Sequence, residues 1–181
     1  MGILCALHPD NCYSYCGVSN CLGINFLRYV NEDGADGWCQ VFARLPFDEV
    51  ELLEKGALFG VVYGEDKKRW GDLEAELTSW VEEFFNQEEG GKGLASFFEV
   101  FSQKFIGLKA GWVWISKKES REIKMVATEG IVLMIRRGGQ SVDLGENIVG
   151  KVVTGQVFDN DIYYLGTTGM GREMELWEEK V

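Results

Sequence analysis

The sequence has little proline and almost no histidine: two prolines and one histidine in 181 residues. No Pro-rich stretch, low-complexity tract or internal repeat marks a linker, so the length suits one domain, residues 1–181, with its own core. With His8 as the only imidazole, a Ser–His or Cys–His pair has a single candidate base, beside Pro9, and no G-x-S-x-G elbow accompanies it. Neither Gly90-Gly91-Lys92-Gly93 nor Gly166-Thr167-Thr168-Gly169-Met170-Gly171 fits G-x-x-x-x-G-K-[ST] or a strand-linked G-x-G-x-x-G, which argues against a nucleotide phosphate loop. No segment reaches the roughly 18 uncharged apolar residues of a membrane-spanning helix. The start, Met1-Gly2-Ile3-Leu4-Cys5-Ala6-Leu7-His8, lacks a basic flank and reads as a strand, not a secretion signal. Gly2 opens a myristoylation pattern, but Ala6 stands where Ser or Thr is needed. Lys and Arg number 18 against 29 Asp and Glu, a net charge of −11. Phosphate backbones and anionic lipid are repelled by such a surface, so neither nucleic acid nor membrane is expected as a partner, while a protein partner stays open. The clustered acids, Glu82, Glu83, Glu88 and Glu89 and later Glu173, Glu175, Glu178 and Glu179, read as solvated helix faces.

Cysteine is present in an odd number: Cys5, Cys12, Cys16, Cys21 and Cys39. A chain this long needs no covalent staples, so reduced thiols in a cytoplasmic compartment are expected. His8-x3-Cys12-x3-Cys16-x4-Cys21 gathers soft ligands of the kind zinc and iron–sulfur centres use. The spacing is not C-x2-C, and alternation along a strand would point the groups apart. Packed thiols are the plainer reading, and a small α+β module with a Cys/His metal site is the rival.

Residues 1–30 are short apolar runs broken by Asp10-Asn11 and Ser19-Asn20, suggesting two strands before the polar loop 31–37. Residues 38–45 and the nearly continuous apolar run 57–63 predict strands, the second one buried. Leu73, Leu77, Trp80, Val81 and Phe84 then recur at helical spacing, with Asp72 as a candidate cap. Leu94, Phe97, Phe98, Phe101 and Phe105 form a second helical stripe that ends at Gly107. Two such helices with a short connection are expected to pack antiparallel on one face of a sheet. From residue 111 onward successive short strands with tight polar turns read as antiparallel hairpins, with Trp112 and Trp114 on one face as core residues. Strands, then two helices, then strands predict an α+β fold with antiparallel sheet.

Several segments, in order, carry a resemblance. Arg28-Tyr29-Val30-Asn31-Glu32-Asp33 fits R-x-x-N-E-D, and Leu58-Phe59-Gly60-Val61-Val62-Tyr63-Gly64 is an apolar strand ending in a glycine turn. Ala127-Thr128-Glu129-Gly130-Ile131 through Arg136-Arg137-Gly138 looks like a strand pair ending in R-x-G. Asp161-Ile162-Tyr163-Tyr164-Leu165-Gly166-Thr167-Thr168-Gly169-Met170 looks like D-hhhh-x-(S/T)-D-G-(L/M). Over residues 20–170 the chain resembles the metal-dependent type-2C protein phosphatases. The resemblance implies an antiparallel β-sandwich with helices packed outside. It also implies Arg28 as a phosphate contact and Glu32 and Asp33 on the metal side, holding Mn²⁺ or Mg²⁺ if the acid cluster works. Carboxylates are suitable hard ligands for such ions, and a metal pair activates water and shields phosphoryl oxygens.

The departures from the pattern are at its acids. Tyr63 stands where the family's V-x-D-G places the Asp that bridges both metals, and a phenol, ionising near pH 10, is no substitute at neutral pH. Thr128-Glu129-Gly130-Ile131 replaces G-D-S-R, and Thr168-Gly169 replaces the late D-G. The chain also stops about where the family adds a D-N segment and a last strand, so a truncated form of the fold is expected. Glu65 and Asp66 are the nearby acids that could substitute. The expectation is a degenerate domain of this kind, catalytically inactive and acting as a binding or regulatory module. An active divergent phosphatase is the alternative.

Overall fold

The computed structural model describes residues 2–6, 14–21, 24–30, 37–46, 48–65, 67–87, 93–116 and 121–167, and for the first three stretches only the backbone. In chain order the elements are β1 (Gly2–Ala6), β2 (Ser14–Cys21), β3 (Ile24–Val30), β4 (Trp38–Arg44), α1 (Glu49–Glu54), β5 (Ala57–Gly64), α2 (Lys67–Gln87) and α3 (Leu94–Lys104). Then follow β6 (Lys109–Ser116), β7 (Glu122–Ala127), β8 (Ile131–Arg137), β9 (Gln140–Asp143), α4 (Gly145–Ile148), β10 (Val153–Gln156) and β11 (Ile162–Thr167). The fold is α+β, with mostly antiparallel pairing in two sheets: β2-β3-β1-β11-β8-β9 and β10-β7-β6-β5-β4. Two pairings are parallel, β1 with β11 and β1 with β3, where antiparallel sheet was expected. The described residues among the first 30 hold three strands, one more than the sequence suggests.

Alternation along the strands sorts the side chains into two cores. Val41, Phe59, Val113, Ile115 and Met125 of the second sheet meet Ile131, Leu133, Tyr163 and Leu165 of the first, so the sheets pack face to face. Gly111 lets them approach closely: a Cβ there would fall 2.7 Å from both Ile131 Cγ2 and Leu165 Cδ1. The other face of the second sheet lies under α2 and α3, where Leu58, Val62, Trp112 and Trp114 pack with Leu77, Val81, Phe97 and Phe101. Trp112 and Trp114 are core residues, as their alternation implied. Both indoles, with that of Trp38, pack closely against glycines spaced four apart. Trp114 covers Gly56, Trp112 covers Gly60 and Trp38 covers Gly64.

The two long helices are antiparallel. Phe84 meets Phe97 in a tilted contact at 4.1 Å, Trp80 contacts Phe101 at 5.9 Å and Phe105 at 5.6 Å, and Glu76 pairs with Lys104 at 3.0 Å, so α3 ascends as α2 descends. The start of α2 differs from expectation: it begins at Lys67, which puts Asp72 inside the helix instead of at its cap. The short α1 was not legible as a helix. It is capped by Asp48, whose carboxylate accepts the Glu51 N–H at 2.8 Å, and its Leu52 is fully buried against the inter-sheet core. Strands β7 and β8 are not a hairpin: β7 pairs with β6 and β10, β8 with β11 and β9. The chain changes sheets at residues 128–130. No helix among the described residues is long and apolar enough to cross a membrane.

Candidate functional site

Strand register decides which sequence positions meet. In the first sheet, Arg28 is level with Cys5, Cys5 with Leu165, and Thr167 with Ile131. The ends of β1, β3 and β11 and the start of β8 therefore lie together. In the second sheet Trp38 is level with Gly64, Tyr63 with Lys109 and Gly111 with Ala127. The crossing at residues 128–130 joins these two sets, so one end of the sandwich collects Arg28, Tyr63, Gly64, Thr128, Glu129 and Thr167. Arg28 is two residues from the end of its strand. It shares a rung, through Cys5, with Leu165, which packs in the inter-sheet core. Glu32, Asp33, Asp66, Thr168 and Gly169 lie outside the described residues.

Aromatic and charged groups fill the described part of this end. A Cβ on Gly37 would sit 2.8 Å from the Tyr63 hydroxyl and 2.6 Å from the Gly64 carbonyl oxygen, so the half-buried phenol lies directly against the backbone that leads into β4. Above the Tyr63 ring, 5.8 Å from its centre, is the Lys109 ammonium, which pairs with Glu65 at 3.2 Å. The stem of Lys109 runs beneath Gly130, whose φ of +84° and missing side chain leave room for it. Thr128 extends the β6–β7 ladder by a rung: its N–H donates to the Ala110 carbonyl at 2.8 Å, and its hydroxyl accepts the Ala110 N–H at 2.9 Å. Lys109 and Glu65 are 41% and 74% exposed, so their pair adds little stability, but it gives Glu65 a cation already in place. Among the described residues no group of three or more His, Cys, Asp or Glu is arranged to hold a metal ion.

Asp161, the acid that begins the last matched segment, is at the opposite end and has a different task. Its carboxylate is fully buried at the start of β11. It accepts Arg137 Nε at 2.8 Å, Arg137 Nη2 at 2.7 Å, the Phe158 N–H at 2.8 Å and the Tyr163 hydroxyl at 3.1 Å. Arg137 Nη2 also donates to the Gln156 carbonyl at 3.0 Å, tying the first sheet to the second, and its guanidinium lies 4.2 Å over the Phe158 ring. Burial pushes the Asp161 carboxyl up, but the hydrogen bonds from Arg137, Phe158 and Tyr163 outweigh it and hold the group below its ordinary value. The Arg137 guanidinium is held above its own by the hydrogen bond to Asp161. Tyr163 is raised, first by burial and then by the Asp161 charge. Arg137 makes this contact, although the R-x-G match falls on Arg136. Sequence offered no signal for the pairing, since the partners are 24 residues apart.

The cysteine constellation is only partly placed. His8 and Cys12 lie outside the described residues. Cys5, Cys16 and Cys21 have defined strand positions, and Cys39 is half-buried in β4 against the inter-sheet core. No protein-family model, curated protein or solved structure matches this chain.

Proposed function

We propose that the chain is a degenerate type-2C-phosphatase-like domain that binds a protein partner or regulates one, without catalysis by a metal pair. The observation carrying this is the occupant of position 63. The resemblance asks for a bridging carboxylate there, and the strand register supports the match by bringing that position to the same end as Arg28. A phenol packed on Gly37 stands in its place. Glu65, the nearest described acid able to substitute, is engaged by Lys109. Arg28 remains as a contact for an anionic group, with Glu32 and Asp33 as remnants of the metal side. The sandwich with helices outside and the acidic charge agree with a cytoplasmic protein of this kind.

The test is hydrolysis of a phosphorylated peptide and of an aryl phosphate in Mn²⁺ and in Mg²⁺. No metal-dependent turnover is expected. Turnover that Asp33→Asn abolishes would overturn the proposal and favour an active, divergent phosphatase.

A further inference from the structure

The pairing of the lysines is uneven, and its exceptions lie at a cleft that the function proposed above does not use. Among the lysines with described side chains, Lys55, Lys104 and Lys109 each pair with a glutamate. Lys124 and Lys151 have no carboxylate partner among the described residues, although acids outnumber bases in the chain. Exposed Lys151 lines a cleft of about 510 Å³ between α3 and residues 150–152. Lys124 stands on the same face of β7 as Val126 in the cleft: its ammonium lies 5.1 Å over the ring of Trp114, which packs with Val126 in the helix-facing core.

Helical spacing builds one wall. Ala95, Phe98, Glu99 and Ser102 recur at i, i+3, i+4 and i+7 of α3, a stripe beside the one that buries Phe97 and Phe101. Buried Phe98 and Val126 and half-buried Val152 make the lining apolar. The other wall is fixed by its backbone: the Gly150 N–H donates to the Ala127 carbonyl at 2.9 Å, which holds the segment carrying Lys151 beside the end of β7. Opposite Lys151, the Glu99 carboxylate on α3 accepts Gln103 Nε2 at 3.5 Å. A negative group in the cleft is thus attracted to the lysine wall and repelled by the helix wall.

We propose that this cleft binds a small amphipathic carboxylate, with its apolar chain on Phe98, Val126 and Val152 and its carboxylate at the Lys151 ammonium. Apolar clefts of roughly 300–1,000 Å³ with a few placed polar groups are the usual sites for small ligands. A lysine ammonium on its flexible stem can follow a carboxylate without a fixed geometry. The inference uses no residue of the phosphatase resemblance and stands or falls apart from it.

The experiment is calorimetric titration of the full chain at pH 7 with decanoate and with decyltrimethylammonium, each below micelle-forming concentration, together with amide chemical-shift mapping. Saturable binding of decanoate is expected, about three to ten times tighter than that of the cation. The net charge of −11 attracts the cation in general, so the opposite preference has to come from the cleft. Lys151→Glu should weaken decanoate binding by about three- to ten-fold without weakening the cation. Ala95→Trp, which puts an indole into the cleft from an exposed helix position, should abolish it. Shifts should centre on residues 95–103 and 150–152. Absence of saturable decanoate binding, equal or tighter binding of the cation, or shifts centred elsewhere would overturn the proposal. If Ala95→Trp unfolds the chain, the shift map of the unmodified chain decides.

Discussion

Asp161 and Gly60 are two positions where a single side chain, or its absence, has consequences that can be measured. The Asp161 carboxylate has four donors and no exposure, so Asp161→Asn removes its charge and leaves donors competing for one oxygen. That substitution is expected to cost about 2–3 kcal/mol in urea denaturation at pH 7. The folded carboxyl is depressed, so its contribution is complete above the ordinary carboxylate value of about 4 and is lost as pH falls through the lower folded value. In Asp161→Asn the acid limb of the stability–pH curve should therefore flatten. An unchanged limb would mean that other carboxylates dominate acid unfolding. At Gly60, a Cβ would enter the Trp112 ring, which is pinned between β5 and the phenylalanines of α3. Gly60→Ala is expected to destabilise by about 1–3 kcal/mol through overpacking, with a matching drop in the thermal midpoint. By contrast Gly71→Ala, in an exposed helix interior with open space around it, should be neutral or stabilising by up to about 1 kcal/mol.

Elements differ in how far their sequences announce them. The phenylalanine stripe of α3 and the apolar run of β5 were legible because each is long enough to show its period and each faces a core. The antiparallel helix pair followed from their short connection. α1 was hidden because six residues cannot display a helical period, and its one signal was local, Asp48 three residues before Glu51. Asp48→Ala should cost about 1 kcal/mol by chemical denaturation, because the cap satisfies an N–H that the helix cannot. No effect would mean that burial of Leu52 alone holds α1. The parallel pairing of β1 with β11 could not be read, since the partners come from opposite ends of the sequence and neither strand states its direction. The hairpin expected of β7 and β8 failed for a related reason. A tight Thr-Glu-Gly connection serves a change of sheet as well as a turn within one, and only the partners on either side distinguish the two. For the site, the mismatch between Tyr63 and the acid that the resemblance asks for was plain in the sequence. The Lys109–Glu65 pair was not, because it joins residues 44 apart that only the β5–β6 register brings together.

At the scale of the whole molecule the sandwich has two unlike ends. One is closed by an ion pair between half-exposed Arg137 and buried Asp161, and Arg137 links the sheets through the Gln156 carbonyl. The other carries Arg28, the glycine-rich crossing and the Tyr63–Lys109–Glu65 group. A shared end for the positions of the resemblance, combined with a phenol at the position of its bridging acid, is the basis on which we propose a binding module without metal-pair catalysis. The most direct measurement is calorimetric titration of the metal-stripped protein with Mn²⁺. The account predicts no binding tighter than millimolar. Micromolar binding that Asp33→Asn removes would contradict it, by showing that other acids have rebuilt the metal centre around Tyr63.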